Sequence, residues 1–154
     1  MVHNIQILNT GYEVLITGIL AASIAQTIKF ILYVLINKKV DFRVLSTTGG
    51  MPSSHSAAVV SLSTTVGLIA GWNSLAFAIA AGYALIVMQD AAGLRRASGK
   101  MAVCLNKIMD DFYKHDAQSA GEKLKEMLGH TPFEVFAGAL FGIAFAYFMH
   151  FYVL

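Results

Sequence analysis

Residues 47–62 read TTGGMPSSHSAAVVSL. The segment begins as a tight polar loop and ends as an apolar helix. Gly49, Gly50, Pro52, Ser53, Ser54 and His55 stand directly ahead of a run that stays mostly apolar or small as far as Ala70. Serines in this position cap helix N-termini, because a side-chain oxygen takes one of the backbone N–H groups that the first turn leaves unpaired. A helix that starts on such a cap and then runs apolar is either a core helix or a membrane span, and the rest of the chain decides between them.

Of the 154 residues, 56% are hydrophobic and 13% are charged, whereas about 25% are charged in soluble domains. The mean hydropathy of +0.63 points the same way. This composition predicts an all-α, polytopic helical membrane protein, and the length fits a single membrane-embedded domain over residues 1–154. A helix needs about 20 mostly apolar residues to cross the hydrocarbon core. Four stretches meet that need: Tyr12–Ile36, Ser54–Ala70, Asn73–Gly93 and Pro132–Tyr152. The N-terminal MVHNIQILNTGYE has neither the basic region nor the small-residue site of a cleavable signal peptide. The lone cysteine, Cys104, has no partner for an internal disulfide and is expected to pack as a small apolar side chain.

Charge sets the orientation. The loop after the first span holds Lys38, Lys39 and Arg43, and the long loop before the fourth holds Arg95, Arg96, Lys100, Lys107, Lys114, Lys123 and Lys125. Only Lys29 lies elsewhere, inside the first span. Four spans place both loops on one face, and the excess of lysine and arginine makes that face cytoplasmic, with both termini outside the cell membrane. Within the long loop, Met101, Leu105, Ile108, Met109 and Phe112 form one apolar helical stripe. That stripe predicts an amphipathic helix lying in the cytoplasmic interface. A second short helix is predicted from the capping box at Ser119–Glu122 and ends at Gly129.

On this topology the unusual residues fall at one depth. His55 opens the second span, Asp90 closes the third, His130 and Glu134 open the fourth, and Gln26 and Lys29 lie near the cytoplasmic end of the first. Each has a structural role open to it. Thr131-Pro132-Phe133-Glu134 is a good capping box with proline at the first helical position. Pro52-Ser53-Ser54 is a helix start, Arg95 and Arg96 suit lipid headgroups, and Lys29 can snorkel to the interface. His3, His115 and His150 read as ordinary interfacial histidines. Together, however, the set at the basic face makes chemical sense. Helix N-termini at Ser53-Ser54 and Thr131 favour anions. Gly50 lets backbone approach a ligand. Lys29, Arg95 and Arg96 add positive charge. Two histidines supply a nucleophile and a proton donor near neutral pH, and Glu134 can orient an imidazole. A phosphate-bearing lipid fits such a pocket.

Three blocks carry a resemblance. Gly49-Gly-Met-Pro-Ser-Ser-His-Ser56, Asp90-Ala-Ala-Gly-Leu-Arg-Arg96 and Leu128-Gly-His-Thr-Pro-Phe-Glu134 look like the divergent branch of the type 2 phosphatidic acid phosphatases. That superfamily includes acid phosphatases and vanadium-dependent haloperoxidases. It is marked by K-x6-R-P, P-S-G-H and S-R-x5-H-x3-D and works without metal. The resemblance implies His130 as nucleophile, Glu134 in place of the orienting aspartate, and His55 as proton donor to the leaving alcohol. Ser54 stands where the superfamily has glycine. No K-x6-R-P is present, so Lys29 is a stand-in; the arginine position six residues before His130 holds Leu124, flanked by Lys123 and Lys125.

The expected activity is therefore a phosphoric monoester hydrolase acting on a lipid of the phosphatidate or phosphatidylglycerophosphate type. The catalytic residues are His130, His55 and Glu134. The phosphate is held by Lys29, Arg95, Arg96, Ser53, Ser54 and Gly50, with Gln26, Asp90 and Lys125 as further candidates. The partners expected are the membrane and a phospholipid, with no cofactor and no nucleic acid. Gly138-x3-Gly142 permits close helix packing and a homodimer. Two rivals are a Mg²⁺-dependent phosphatase built on Asp90, Glu134 and the histidines, and a non-catalytic lipid-binding or transport protein.

Overall fold

The computed structural model describes residues 7–46, 49–112 and 129–154. Five α-helices make up the described residues: α1 (Gly11–Asn37), α2 (Ser54–Ala70), α3 (Leu75–Ala92), α4 (Leu94–Phe112) and α5 (Pro132–Phe148). A 3-10 turn, Phe42–Ser46, follows α1, and a π-helical turn, Met149–Val153, ends α5. No strand occurs among the described residues.

The starts of the helices are written in short-range chemistry. Thr10, Ser53, Ser74 and Thr131 are the N-caps of α1, α2, α3 and α5, and each accepts a backbone N–H from the first turn. Gly71 separates α2 from α3 at a φ of 90°. The four predicted spans correspond to α1, α2, α3 and α5, within a few residues at each end. Among the described residues, three helical stretches are long and apolar enough to cross a membrane: Gly11–Asn37, Leu75–Asp110 and Pro132–Val153. α2 is shorter, with 17 residues, or about 25 Å at the usual rise. It packs against α1, α3 and α5, so this short apolar helix is the central one.

Small residues let these helices approach closely. α1 turns Glu13, Thr17, Ala21, Ala25 and Lys29 inward, every fourth residue on one face. Ala21, Ala25 and Ala57 form the core with Phe145 and Met149. The Gly138-x3-Gly142 motif is used inside the chain. A Cβ on Gly138 would lie 2.5 Å from the Ser53 carbonyl oxygen, and one on Gly142 would lie 2.7 Å from that of Ala57. The face expected to permit a homodimer is therefore occupied by α2.

α4 begins seven residues before the predicted stripe, directly after α3. Gly99 and Asn106 are buried, whereas Met101, Leu105 and Ile108 are exposed. The apolar stripe thus points away from the other helices, as it must for a helix bedded in a membrane surface. Cys104, expected to pack, is exposed on the same helix. The short helix expected from Ser119 lies outside the described residues, except for Gly129 at its end, as do His3, His115 and Lys125.

His150 is not an ordinary interfacial histidine. Its Nδ1 lies 2.6 Å from Oε1 of Glu13, and Glu13 is fully buried. The other carboxylate oxygen accepts the Asn9 N–H at 2.6 Å. One turn along, the Thr17 hydroxyl is buried with no hydrogen-bond partner among the described residues. This pair ties the start of α1 to the end of α5, at the end of the bundle away from His130.

Two variants test this packing. Gly142→Val drives a branched side chain into the α2 backbone. Overpacking of this sort costs about 1–3 kcal/mol and should lower the melting temperature in detergent, while Gly82→Val should not, because nothing lies near a Cβ there. His150→Leu leaves the Glu13 carboxylate buried and unpaired, which should cost about 3 kcal/mol. Adding Glu13→Gln should recover part of the lost melting temperature.

Candidate functional site

The start of α5 builds the centre of the site. Thr131 caps the helix: its Oγ1 accepts the Glu134 N–H at 3.3 Å, and Oε2 of Glu134 accepts the Thr131 N–H at 3.1 Å. The same Oε2 lies 3.2 Å from Nδ1 of His130. One carboxylate thus closes the capping box and holds the imidazole. The capping role and the orienting role, alternatives in the sequence, are performed by the same atoms.

Two other helices lock this start in place. The Glu134 carbonyl accepts the Ser53 N–H at 3.1 Å, which joins the beginning of α2 to the beginning of α5. The His130 N–H donates to the Ala91 carbonyl at 3.1 Å, which brings in the end of α3 beside Asp90. The Gly50 backbone lies close enough to the His130 ring to act on it electrostatically. Gly50 has a φ of 87°, and a Cβ there would lie 2.9 Å from Cδ of Lys29. Glycine is needed twice over, for the backbone angle and for the lysine stem that crosses it. Lys29 is buried and lies within electrostatic range of both Glu134 and His130.

His55 and His130 come together with ring centroids 6.4 Å apart and planes at 67°. Their exposures differ. His130 is 3% exposed, while His55 stands in the exposed class on the first turn of α2. Ser53 is fully buried, and its hydroxyl accepts both the N–H and the hydroxyl of Ser56. With its own N–H given to Glu134, Ser53 is a cap and a link rather than an open phosphate donor. Ser54 is half-buried at the start of α2. Gln26 donates to the Val44 carbonyl at 3.3 Å and so holds the turn after α1. Arg95 and Arg96 lie in the first turn of α4, but their side chains, like Lys125, fall outside what the structure describes.

A cavity of about 900 Å³ opens beside the dyad. Lys29, Gly50, Thr131 and Glu134 are among its lining residues. His130 does not line it, although its neighbours Gly129 and Thr131 do. Arg43, Asp41 and Tyr33 also face the cavity. In the sequence, Arg43 is only one of the charges of the loop after α1. No motif marks it, because its place in the cavity depends on how the turn after α1 folds back. Among the described residues, no three His, Cys, Asp or Glu side chains gather as a metal site.

The family model described as "Divergent PAP2 family" matches residues 10–145. The chain belongs to that family. It is also 45% identical over 139 residues to the uncharacterized membrane protein YuiD of Bacillus subtilis (strain 168), covering 84% of this chain and 88% of that one. No solved structure matches the chain. The matched region runs from the N-cap of α1 into α5, so it includes Lys29, His55, Asp90, His130 and Glu134.

Electrostatics at His130 give a direct test. Burial holds its imidazole below the usual 6.5, and the Lys29 charge acts in the same direction. The hydrogen bond and charge of Glu134 oppose the shift, as does the Gly50 backbone. The unfolded chain therefore binds the proton more readily just below pH 6.5. The contribution to stability is complete above that pH and is lost as the pH falls through the folded value. Histidine ¹⁵N NMR should place the His130 midpoint below 6.5, and Glu134→Gln should move it lower still.

Proposed function

We propose that this protein is a membrane phosphatase that hydrolyses a lipid phosphate monoester through a phosphohistidine. The observation that carries the proposal is the His130–Glu134 pair. An imidazole whose Nδ1 is held by a carboxylate is fixed in orientation, and its other nitrogen is the one left for attack. Burial keeps the ring neutral at neutral pH, the state a nucleophile needs. Membership of the divergent PAP2 family supports the same chemistry.

The steps balance as follows. The free ring nitrogen of His130 attacks phosphorus, a P–N bond forms, and the ester P–O bond breaks. His55 gives a proton to the departing lipid alkoxide. Water then attacks the phosphohistidine, His55 takes a proton from it, and inorganic phosphate leaves as the P–N bond breaks. Glu134 stabilises the positive charge that develops on His130. Lys29 stabilises the equatorial oxygens, with Arg95 and Arg96 as further candidates, a contribution that is generally among the largest in such reactions. The charge of the loops supports a cytoplasmic site with both termini outside.

One observation favours a second reading. His130 is almost fully buried and is not part of the cavity wall, which suits a lipid-binding protein that never performs the attack. A single assay separates the two. Purified protein is given a panel of phospholipid phosphate monoesters, and released phosphate is measured. Release by wild type, unchanged by chelator and reduced about a thousandfold or more in His130→Ala, supports the phosphatase. A His55→Ala loss of about a hundredfold is expected for a proton donor. Binding without release by any member of the panel supports the non-catalytic protein, and release abolished by chelator supports metal chemistry instead.

A further inference from the structure

Two cations line the cavity, and they differ in burial. Lys29 of α1 is buried, whereas Arg43 of the turn Phe42–Ser46 is exposed. The turn is fastened to α1 on both sides of Lys29. The Gln26 side chain donates to the Val44 carbonyl at 3.3 Å. The Phe42 ring stacks on Phe30 with centroids 5.5 Å apart and planes at 16°. Gln26 and Phe30 are one turn of α1 apart, about 6 Å along its axis, and Lys29 lies between them. Arg43 lies between Phe42 and Val44, so its backbone is held beside α1 at the level of Lys29.

Two carboxylates line the same cavity, Asp41 and Glu134, and each has a local structural task. Oδ1 of Asp41 accepts the Arg43 N–H at 2.9 Å. Oε2 of Glu134 accepts the Thr131 N–H and holds His130. Lys29 and Arg43 are the groups that can meet an entering anion. An ammonium is a point charge, whereas a guanidinium presents paired N–H donors in a plane that match the oxygens of a phosphate. A phosphate monoester carries about −1.5 to −2 charge at pH 7, which suits two cations, while a diester carries a single charge.

We infer that Arg43 binds the phosphate together with Lys29 and makes the site selective for a monoester, and that the stack of Phe42 on Phe30 positions Arg43 for this. The inference deepens the proposed function and rests on its reading of the cavity as a phosphate site. The group recognised is a terminal phosphate, and separate binding of a lipid monoester and of inorganic phosphate distinguishes its two sources.

The test uses the full chain in detergent with dioctanoyl phosphatidate, the diester dioctanoyl phosphatidylglycerol, and inorganic phosphate. Affinity is measured by ligand-induced thermal shift, the melting temperature without ligand shows that each variant folds, and phosphate release is followed separately. Wild type should bind the monoester more tightly than the diester. Arg43→Gln should weaken the monoester about tenfold, the loss expected of one charge-assisted contact, and the diester by no more than about twofold. Arg43→Lys should recover part of the loss, and Phe42→Ala should lose affinity for the monoester with Arg43 still present. Lys39→Gln removes an exposed charge of the same loop that does not line the cavity, and it should leave both affinities as they are. An equal loss for inorganic phosphate makes phosphate itself the ligand, and a loss confined to phosphatidate makes it the lipid; both uphold Arg43. The inference is overturned if wild type binds monoester and diester alike, if Arg43→Gln binds as wild type does or weakens both lipids equally, or if Lys39→Gln loses as much. Full affinity in Phe42→Ala overturns the positioning by the ring stack. Where Arg43→Gln fails to fold, Arg43→Lys and Phe42→Ala decide by the same monoester-to-diester ratio. A selective loss in Arg43→Gln without phosphate release by wild type leaves Arg43 assigned and removes the phosphatase, whereas release by wild type with no selective loss does the reverse.

Discussion

The carboxylate of Glu134 is the constraint on which the rest of the site depends. It closes the capping box of α5 and holds Nδ1 of His130 with the same oxygen. The backbone carbonyl of the same residue receives the Ser53 N–H, so the first turns of α2 and α5 are joined at one point. From that point the two helices run in contact, and only glycine at positions 138 and 142 permits the separation observed. Packing and site geometry are therefore not independent. A change that separates α2 from α5 also moves His55 relative to His130.

The same local device occurs at both ends of the bundle with different consequences. Thr10-Gly-Tyr-Glu13 and Thr131-Pro-Phe-Glu134 are both Thr-x-x-Glu helix starts, and each glutamate holds a histidine through Nδ1. Glu134 holds the residue just before its own cap. Glu13 holds His150, 137 positions away. The first arrangement borders a cavity that contains a lysine, whereas the second ties two chain ends together. Carboxylate–imidazole pairing is thus not by itself a sign of catalysis. The surrounding charge and the space for a ligand distinguish the two.

The inward face of α1 connects these ends. Between Glu13 and Lys29 it presents only small or short side chains, so α2 can lie close along it. Lys29 is buried among apolar helices within electrostatic range of Glu134, and it lines the cavity with its stem against Gly50. An ionisable residue inside an apolar helix is retained where it has such a partner. The cavity it enters is lined by both apolar and polar side chains.

Much of this was legible in one dimension. The caps at Ser53 and Thr131, the apolar runs and the stripe on α4 depend on neighbours a few residues apart, and short-range patterns report short-range physics. The Pro-Ser-Ser-His and His-Thr-Pro-Phe-Glu blocks were legible for the same reason, since each builds its own helix start. Three things were not. Arg43 looked like one loop charge among many until the turn folded onto Phe30 and Gln26. His150 looked incidental because its partner lies at the other end of the chain. Gly138 and Gly142 announced a close contact without naming the helix that makes it. In each case the deciding interaction joins residues that only the folded chain brings together. The sequence by itself determined that this chain makes membrane helices with capped, polar starts. The tertiary structure alone decided which of those starts meet, because only packing brings distant charges within reach of one another.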